Sequence, residues 1–256
     1  MPVIPVVLAD TELRQALRRG LPRRGVRVMN CTSVDRVAAV MQRELVDAVI
    51  VDVLRADAAG TFRLAASYPR IPFFALSAFR PDDGAMIAHC RRAGLRGVLV
   101  DSVDRPAAGE LVASRTASRA RRASLRDAPR LLRLTEPIQR RAWDEVFHRV
   151  GAPTTTSDVA RALKRTREHL SREFAAGGAP NLKRVIDLAR VVTAADLLGN
   201  PGYTVRSVAR VLRFSSASHF AGAAHRIAGT TPVELGRLGP RGVFLRFLKG
   251  RTRSRI

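Results

Sequence analysis

TVRSVARVLRFSSASHFAGAAHRIAGTTP, residues 204–232, decides how the C-terminal part of this chain is read. Val205, Val208, Ala209 and Leu212 fall at i, i+3, i+4 and i+7, one face of a short helix. Arg213-Phe214-Ser215-Ser216 is a polar break, and beyond it Ala217, Phe220, Ala224 and Ile227 line one face of a second helix. Two short amphipathic helices joined by so brief a turn must cross steeply, because each buries its apolar face against the other. The pattern is a helix-turn-helix whose second helix stands proud of the body. Gly229 followed by Thr230-Thr231-Pro232 stops that helix and starts another: Gly suits the C-terminal stop, Thr231 the N-cap, Pro232 the first turn. Alone, such a pair is equally a structural hairpin of an all-helical protein.

A second copy upstream separates the two readings. Residues 156–176, TSDVARALKRTREHLSREFAA, carry Val159, Ala160 and Leu163, a polar turn at Thr166, then His169, Leu170 and Phe174. Between the copies, 181–199 (NLKRVIDLARVVTAADLLG) reads as one long amphipathic helix through Val185, Leu188, Ala189, Val192, Ala195 and Leu198.

These residues resemble the DNA-binding domain of AraC/XylS-type regulators. The resemblance is carried by Ala160, Thr166 (for Ser), Leu170, Arg172 and Phe174 in the first copy and by Arg190, Ala194, Leu197 and Leu198 in the linking helix. Ala209, Phe214, Ser215, Phe220, Gly229, Thr231 and Pro232 carry it in the second. Two departures stand out: Arg213 replaces the family's usual Gly at the second turn, and Ala224-His225 replaces its Phe-Lys.

The 256 residues leave room for two domains, each with a core. The formal net charge is +23, which points to a polyanionic partner such as double-stranded DNA. Its distribution sharpens this. Residues 1–110 hold 16 basic against 12 acidic side chains, 111–150 hold 10 against 4, and 151–256 hold 19 against 6. An Arg-rich proteome alone would spread the excess evenly. The start, MPVIPVVLAD, has no basic n-region, no segment is long and apolar enough for a bilayer, and Cys31 and Cys90 read as reduced core thiols. The expected location is cytoplasmic.

Residues 1–119 alternate strands and helices. Apolar runs at 5–9, 26–29, 48–51, 73–76 and 97–100 alternate with helices at 11–19, 33–43, 60–67 and 82–93, and a last helix runs from Ala107 to about Arg119. Short runs buried on both faces and separated by helices are the pattern of a parallel doubly wound sheet. Five such units resemble the receiver domain of bacterial response regulators, with flavodoxin-like strand order. The resemblance implies two acids after the first strand for Mg²⁺, a phosphoacceptor Asp after the third, a Ser/Thr after the fourth and a Lys after the fifth. Here Asp10 stands between Ala9 and Thr11, Asp52 is at the acceptor position and Ser77 at the sensor position, but Asp101 or Ser102 takes the place of the lysine. An Asp there adds negative charge beside a phosphoryl group, and one fewer carboxylate weakens Mg²⁺ binding. The expectation is a degenerate receiver-like domain, with Mg²⁺ a cofactor only if the receiver is active. A working phospho-receiver stays open, as does the reading of Asp10 and Asp52 as ordinary strand-end acids.

The fold class expected is therefore an α/β flavodoxin-like receiver-type domain (1–119), a basic linker (120–135), an all-α domain with two helix-turn-helix units (136–238) and a basic C-terminal tail (239–256). Trp143, Val146 and Phe147 mark the first helix of the α domain. No glycine-rich phosphate loop follows a strand, no Cys/His cluster has zinc spacing, and the five histidines are scattered, so no enzyme is expected.

By the resemblance, Arg167, Glu168, Ser171 and Arg172 face outward from the first recognition helix. Arg can pair with guanine and Glu can accept from cytosine. In the second, the corresponding Ala217, Ser218 and Gly222, with His219 nearby, are short. The first unit is thus expected to specify sequence and the second to position on the backbone, with Arg206, Arg210, Arg213 and Arg226 as phosphate contacts. Two alternatives remain: a phosphorylation-switched response regulator using Asp52, and a non-enzymatic adaptor with non-specific DNA affinity. A homodimer through the receiver-like domain is also implied.

Overall fold

Five short runs rich in Val, Ile, Leu and Phe become five strands, because β-branched and aromatic side chains pack well on a pleated surface covered from both sides. The computed structural model describes residues 1–22, 25–175 and 178–253, and divides into two compact units. One is Pro2–Ala120 with Asn200–Gly202; the other is Arg121–Gly199 and Tyr203 onward, with Met1.

In the first unit β1 (Val3–Val7), β2 (Arg27–Asn30), β3 (Val49–Val51), β4 (Phe73–Ser77) and β5 (Gly97–Val100) form one parallel sheet in the order β2-β1-β3-β4-β5. That is the flavodoxin-like order. Every residue of β1, β3 and β4 is buried, as central parallel strands must be. The helices α1 (Thr11–Gly20), α2 (Val34–Met41), α3 (Ala58–Ser67) and α4 (Gly84–Arg92) alternate with them. Leu13 and Leu17 of α1 join Ile4, Val6, Ile50, Phe74 and Leu76 in one core. Cys31 and Cys90 are both free and buried, and burial pushes both thiols above their usual pKa.

The end of this unit departs from the sequence expectation. A short helix not expected from the sequence, α5 (Asp101–Asp104), follows β5, and the single helix expected from Ala107 to about Arg119 is two, α6 (Ala108–Ala113) and α7 (Ala117–Ser124). Pro106 lacks an N–H and separates α5 from α6. Between α6 and α7 the chain turns to serve Asp47, which is fully buried. Its carboxylate accepts from Ser118 N at 2.6 Å and Ser118 Oγ at 2.7 Å, and its carbonyl accepts from Ala117 N at 2.9 Å. A buried carboxylate must be hydrogen-bonded, and that demand outweighs helix continuity. α6 lies so close to α1 that a Cβ on Gly109 would come within 2.5 Å of the Leu17 carbonyl.

The second unit is all helical: α8 (Ala128–Leu131), α9 (Pro137–Arg149), α10 (Thr156–Ala162), α11 (Arg167–Ala175), α12 (Leu182–Leu197), α13 (Val205–Val211), α14 (Ala217–Ala228) and α15 (Pro232–Arg253). The stretch read as a linker is part of it. Leu125, Ala128, Leu132 and Leu134 are buried, and Arg121, only 5% exposed, pairs with Asp196 of α12. The apolar positions are spaced for a helix face, but the arginines between them hide it. The stretch read as a basic tail also packs. α15 breaks at Gly239 (φ 63°), next to Pro240, and resumes with Val243, Phe244 and Phe247 buried. Arg255 of that tail lies outside the described residues.

α12 is the centre of the unit. Leu182, Val185, Leu188, Ala189, Val192 and Ala195 are all at most 4% exposed, and so are Val191, Ala194 and Thr193 on its other sides. The buried Thr193 hydroxyl donates to the Ala189 carbonyl at 2.8 Å, which satisfies that buried polar group. α9, α14 and α15 all pack on α12.

Candidate nucleic-acid interface

The two helix pairs are built by the same local rules. Each begins on a capping box: Thr155 with Asp158 for α10, and Thr204 with Ser207 for α13. The Thr155 hydroxyl accepts from Asp158 N at 3.2 Å while the Asp158 carboxylate accepts from Thr155 N at 2.9 Å. Hydrogen bonds from the Thr155 side chain, then from its backbone, hold the Asp158 carboxyl below the usual aspartate range. Each first helix closes in the same way, with Arg165 N donating to Ala160 O and Phe214 N to Ala209 O, both at 2.9 Å. Lys164 (φ 55°) and Arg213 (φ 58°) supply the left-handed residue of that closure. Each recognition helix then starts on a hydroxyl cap: Thr166 accepts from His169 N at 3.1 Å, and Ser216 from His219 N at 2.9 Å. Leu170 and Phe174 anchor α11; Phe220, Ala224 and Ile227 anchor α14. α14 ends on Gly229 (φ 59°), whose N–H donates to His225 O at 2.8 Å.

On α11, Arg167, Glu168, Ser171 and Arg172 are all exposed, with Glu168, Ser171 and Arg172 at i, i+3 and i+4 on one face. The side chains of Arg167 and Arg172 make no ion pair among the described residues. On α14, Ala217, Ser218 and His219 are exposed and Gly222 is half-buried. His219 is turned back onto the turn rather than outward: its Nδ1 lies 2.9 Å from Ser215 Oγ and its ring meets Phe214 edge-on at 5.7 Å. Arg206, Arg210, Arg213 and Arg226 are exposed. Arg206 and Arg210 are one turn apart on α13, Arg213 follows them in the turn, and Arg226 is one turn beyond Gly222 on α14.

One contributor was visible in the sequence only as a pattern position. Arg190 of α12 lays its guanidinium 3.8 Å over the Phe214 ring and donates from Nη2 to the Leu212 carbonyl at 3.0 Å. It pins the second turn to the linking helix. Burial lowers its pKa, though an arginine remains charged.

The protein-family comparison matches "Helix-turn-helix domain" over residues 159–237. That span begins in α10, ends in α15 and holds both pairs. The C-terminal part of this chain carries an AraC-type helix-turn-helix domain. It is a DNA-binding domain, and it follows a receiver-like one. No curated protein matches the chain. Among solved structures, full-length FixJ from B. japonicum is similar at 15% identity and a TM-score of 0.39, over 73% of this chain and 95% of that one. No described helix is long and apolar enough to cross a membrane.

The receiver-like unit has its own cluster at the carboxyl ends of its strands. A cavity of about 470 Å³ is lined by Asp10, Asp52, Arg55, Arg80, Asp83 and Asp101, among others. Asp52 and Ser77 meet there: the Ser77 hydroxyl donates to Asp52 Oδ1 at 2.7 Å, and Leu54 N donates to the same oxygen at 3.2 Å. Asp10 caps α1, its Oδ1 accepting from Glu12 N at 2.7 Å and Leu13 N at 3.2 Å. Those backbone bonds, the one from Leu13 first, lower its pKa, and the guanidinium of Arg105 adds to the effect. Arg105 is what sequence reasoning missed. It grips Asp101 with Nε and Nη2 at 2.8 and 2.9 Å and reaches Asp10 at 3.3 Å and Glu12 at 3.5 Å. Its i+4 spacing from Asp101 was the available signal.

Mg²⁺, which a receiver needs, does not fit this arrangement. Ala9 holds the place of one acid, the remaining Asp10 is committed to a helix N-terminus and a guanidinium, and Asp101 brings Arg105 rather than a lysine into the site. Among the described residues no group of three or more His, Cys, Asp or Glu is arranged to hold a metal ion.

Proposed function

We propose that this chain is a sequence-specific transcriptional regulator whose receiver-like unit acts without normal phosphotransfer. The observation that carries the reading is the pair of matched helix-turn-helix units tied to one buried helix. Held so, their recognition helices can enter successive major-groove faces about one turn, ~34 Å, apart on the same side of the duplex. Glu168, Ser171 and Arg172 read base edges from α11, while α14, with Ala217 and Ser218, follows the backbone. Arg206, Arg210, Arg213 and Arg226 supply phosphate contacts. Arg105 supports the second half of the proposal, because a fixed guanidinium already neutralises the acids that would face a metal ion and a phosphoryl group.

The Ser77–Asp52 hydrogen bond favours one other reading, a phosphorylation-switched regulator, since it joins the acceptor and sensor positions. One experiment separates the two. The purified protein selects from a randomised duplex pool at fixed salt, with and without a small-molecule phosphodonor and Mg²⁺. The expected result is a defined motif whose affinity ignores the phosphodonor. Affinity that rises with phosphodonor, and no longer does so in Asp52→Ala, would establish the switch. Indifference to sequence would remove the specific-regulator reading altogether.

A further inference from the structure

Three residues between α12 and α13, Asn200-Pro201-Gly202, belong by their packing to the receiver-like unit rather than to the helical one. The groups that hold them take no part in the acidic cluster. Gln42 is the C-cap of α2 and Tyr68 the C-cap of α3. Helices that follow parallel strands begin at the carboxyl ends of those strands and finish at the amino ends, so both residues lie at the opposite end of the sheet from Asp52.

Tyr68 and Asn200 are both buried. The Tyr68 hydroxyl donates to the Gly202 carbonyl at 2.9 Å. The Gln42 amide donates to that hydroxyl at 2.6 Å and to the same carbonyl at 3.1 Å. Burial pushes the Tyr68 pKa up, so the hydroxyl keeps its proton for the bond. Gly202 N donates to the Ser67 carbonyl at 2.9 Å, and Asn200 Oδ1 accepts from Arg70 N at 2.7 Å. Both backbone groups of Gly202 are thus engaged. A Cβ on residue 202 would fall 2.4 Å from Tyr68 Cζ, so only glycine lets the backbone lie against the ring. Directed bonds from two helix ends converge on one short loop and fix its geometry as apolar contact alone would not. Two residues after Gly202 stands Thr204, the N-cap of α13. The chain therefore enters the second helix-turn-helix unit directly from residues that the receiver-like unit holds.

We propose that Gln42 and Tyr68 form a docking site for Asn200-Pro201-Gly202, and that through it the receiver-like unit braces the second helix-turn-helix unit for DNA binding. The inference rests on the DNA-binding reading above, and it gives the receiver-like unit a task that needs no phosphoryl group. Holding the entry to α13 limits the positions the second unit can sample. Once the first unit is bound, the second then meets the duplex at a high effective concentration.

The test uses the full chain and two substitutions. Gly202→Ala drives residue 202 off the ring. Tyr68→Phe keeps the ring and removes one hydroxyl, and it carries the test if Gly202→Ala does not fold. Amide hydrogen exchange is measured at residue 202 and in the first turn of α13, without DNA. Affinity is measured at fixed salt on a selected duplex and on a shortened duplex that holds the first subsite alone. The residue 202 amide should exchange slowly in the wild type and fast in Gly202→Ala. Affinity for the selected duplex should fall by about tenfold in Gly202→Ala and by less in Tyr68→Phe, while affinity for the shortened duplex stays the same. Faster exchange with unchanged affinity overturns the brace, and so does an equal fall on both duplexes, which would mean general damage. A rise in affinity overturns it too, because the grip would then restrain the second unit. Fast exchange at residue 202 in the wild type removes the docking itself. If the wild type binds neither duplex, the DNA-binding reading fails, and the exchange data still decide whether the loop is held.

Discussion

The two helix-turn-helix units share a blueprint and divide its virtues. The first carries long, exposed side chains, Arg167, Glu168 and Arg172, which make no ion pair among the described residues, on a recognition helix anchored by Leu170 and Phe174. The second carries Ala217, Ser218 and Gly222 on a helix that is far better fastened. Phe214 stacks on Phe220 at 4.9 Å, Arg190 covers Phe214 from α12, His219 closes on Ser215, and Gly229 stops the helix without strain. Its turn is also one residue longer, with three residues between C-cap and N-cap against two in the first. The difference teaches that holding and reading are separable. A unit meant to seat the protein on the backbone gains from rigidity, and one meant to discriminate bases needs reach.

The largest effects should come from the anchors. Phe174→Ala and Phe220→Ala each remove a fully buried ring and should cost about 3–5 kcal/mol in urea unfolding. A much smaller cost at Phe174 would show the first unit to be loosely seated and would weaken its assignment as the reader. Next, Arg172→Ala should cost about 1–3 kcal/mol of DNA affinity and relax one position of the selected motif, while Ser218→Ala should leave the motif intact. Equal weakening on every sequence would make Arg172 a phosphate contact and reverse the comparison. Arg190→Met should destabilise the second unit by about 2 kcal/mol, from a lost charge-assisted hydrogen bond and a lost cation–π contact. Arg190→Lys should not rescue it, since an ammonium cannot both stack on Phe214 and donate sideways to Leu212.

The smallest effect is the most discriminating. The capping box of α10 contains the carboxylate of Asp158, whereas that of α13 contains the hydroxyl of Ser207. The folded-state pKa of Asp158 is lowered, so its contribution is present above the unfolded value, about 3.9, and is lost as pH falls through the folded one. Amide exchange on acidification below about pH 3.9 should therefore show α10 fraying first, and Asp158→Ser should remove the difference.

Much of this was legible in the sequence, and the exceptions have a common cause. Local signals gave their elements: alternating apolar runs gave β1 to β5, and i, i+3, i+4 spacing gave α10 to α14, with Gly229 marking a stop. Asp52 and Ser77 stand together as strand-end positions in a parallel sheet predict. What stayed hidden was set by distant partners. Asp47 breaks the helix at Ala117 from some 70 residues away. Arg105 owes its role to Asp10 as well as to its neighbour Asp101. The packed stretches at 125–134 and 243–247 carry apolar spacing diluted by arginine, so their charge hides their burial.

The linking helix also sets a phase. α12 runs 16 residues without a break, about 24 Å at 1.5 Å per residue, and it is buried on nearly every side. A spacer of that kind cannot twist to follow its target. Five base pairs added between the two subsites, about half a helical turn, would carry one of them to the far side of the duplex. A jointed protein could swing round to meet it. This one would have to let go with one hand, so its operators are expected to be ruled by angle as strictly as by sequence.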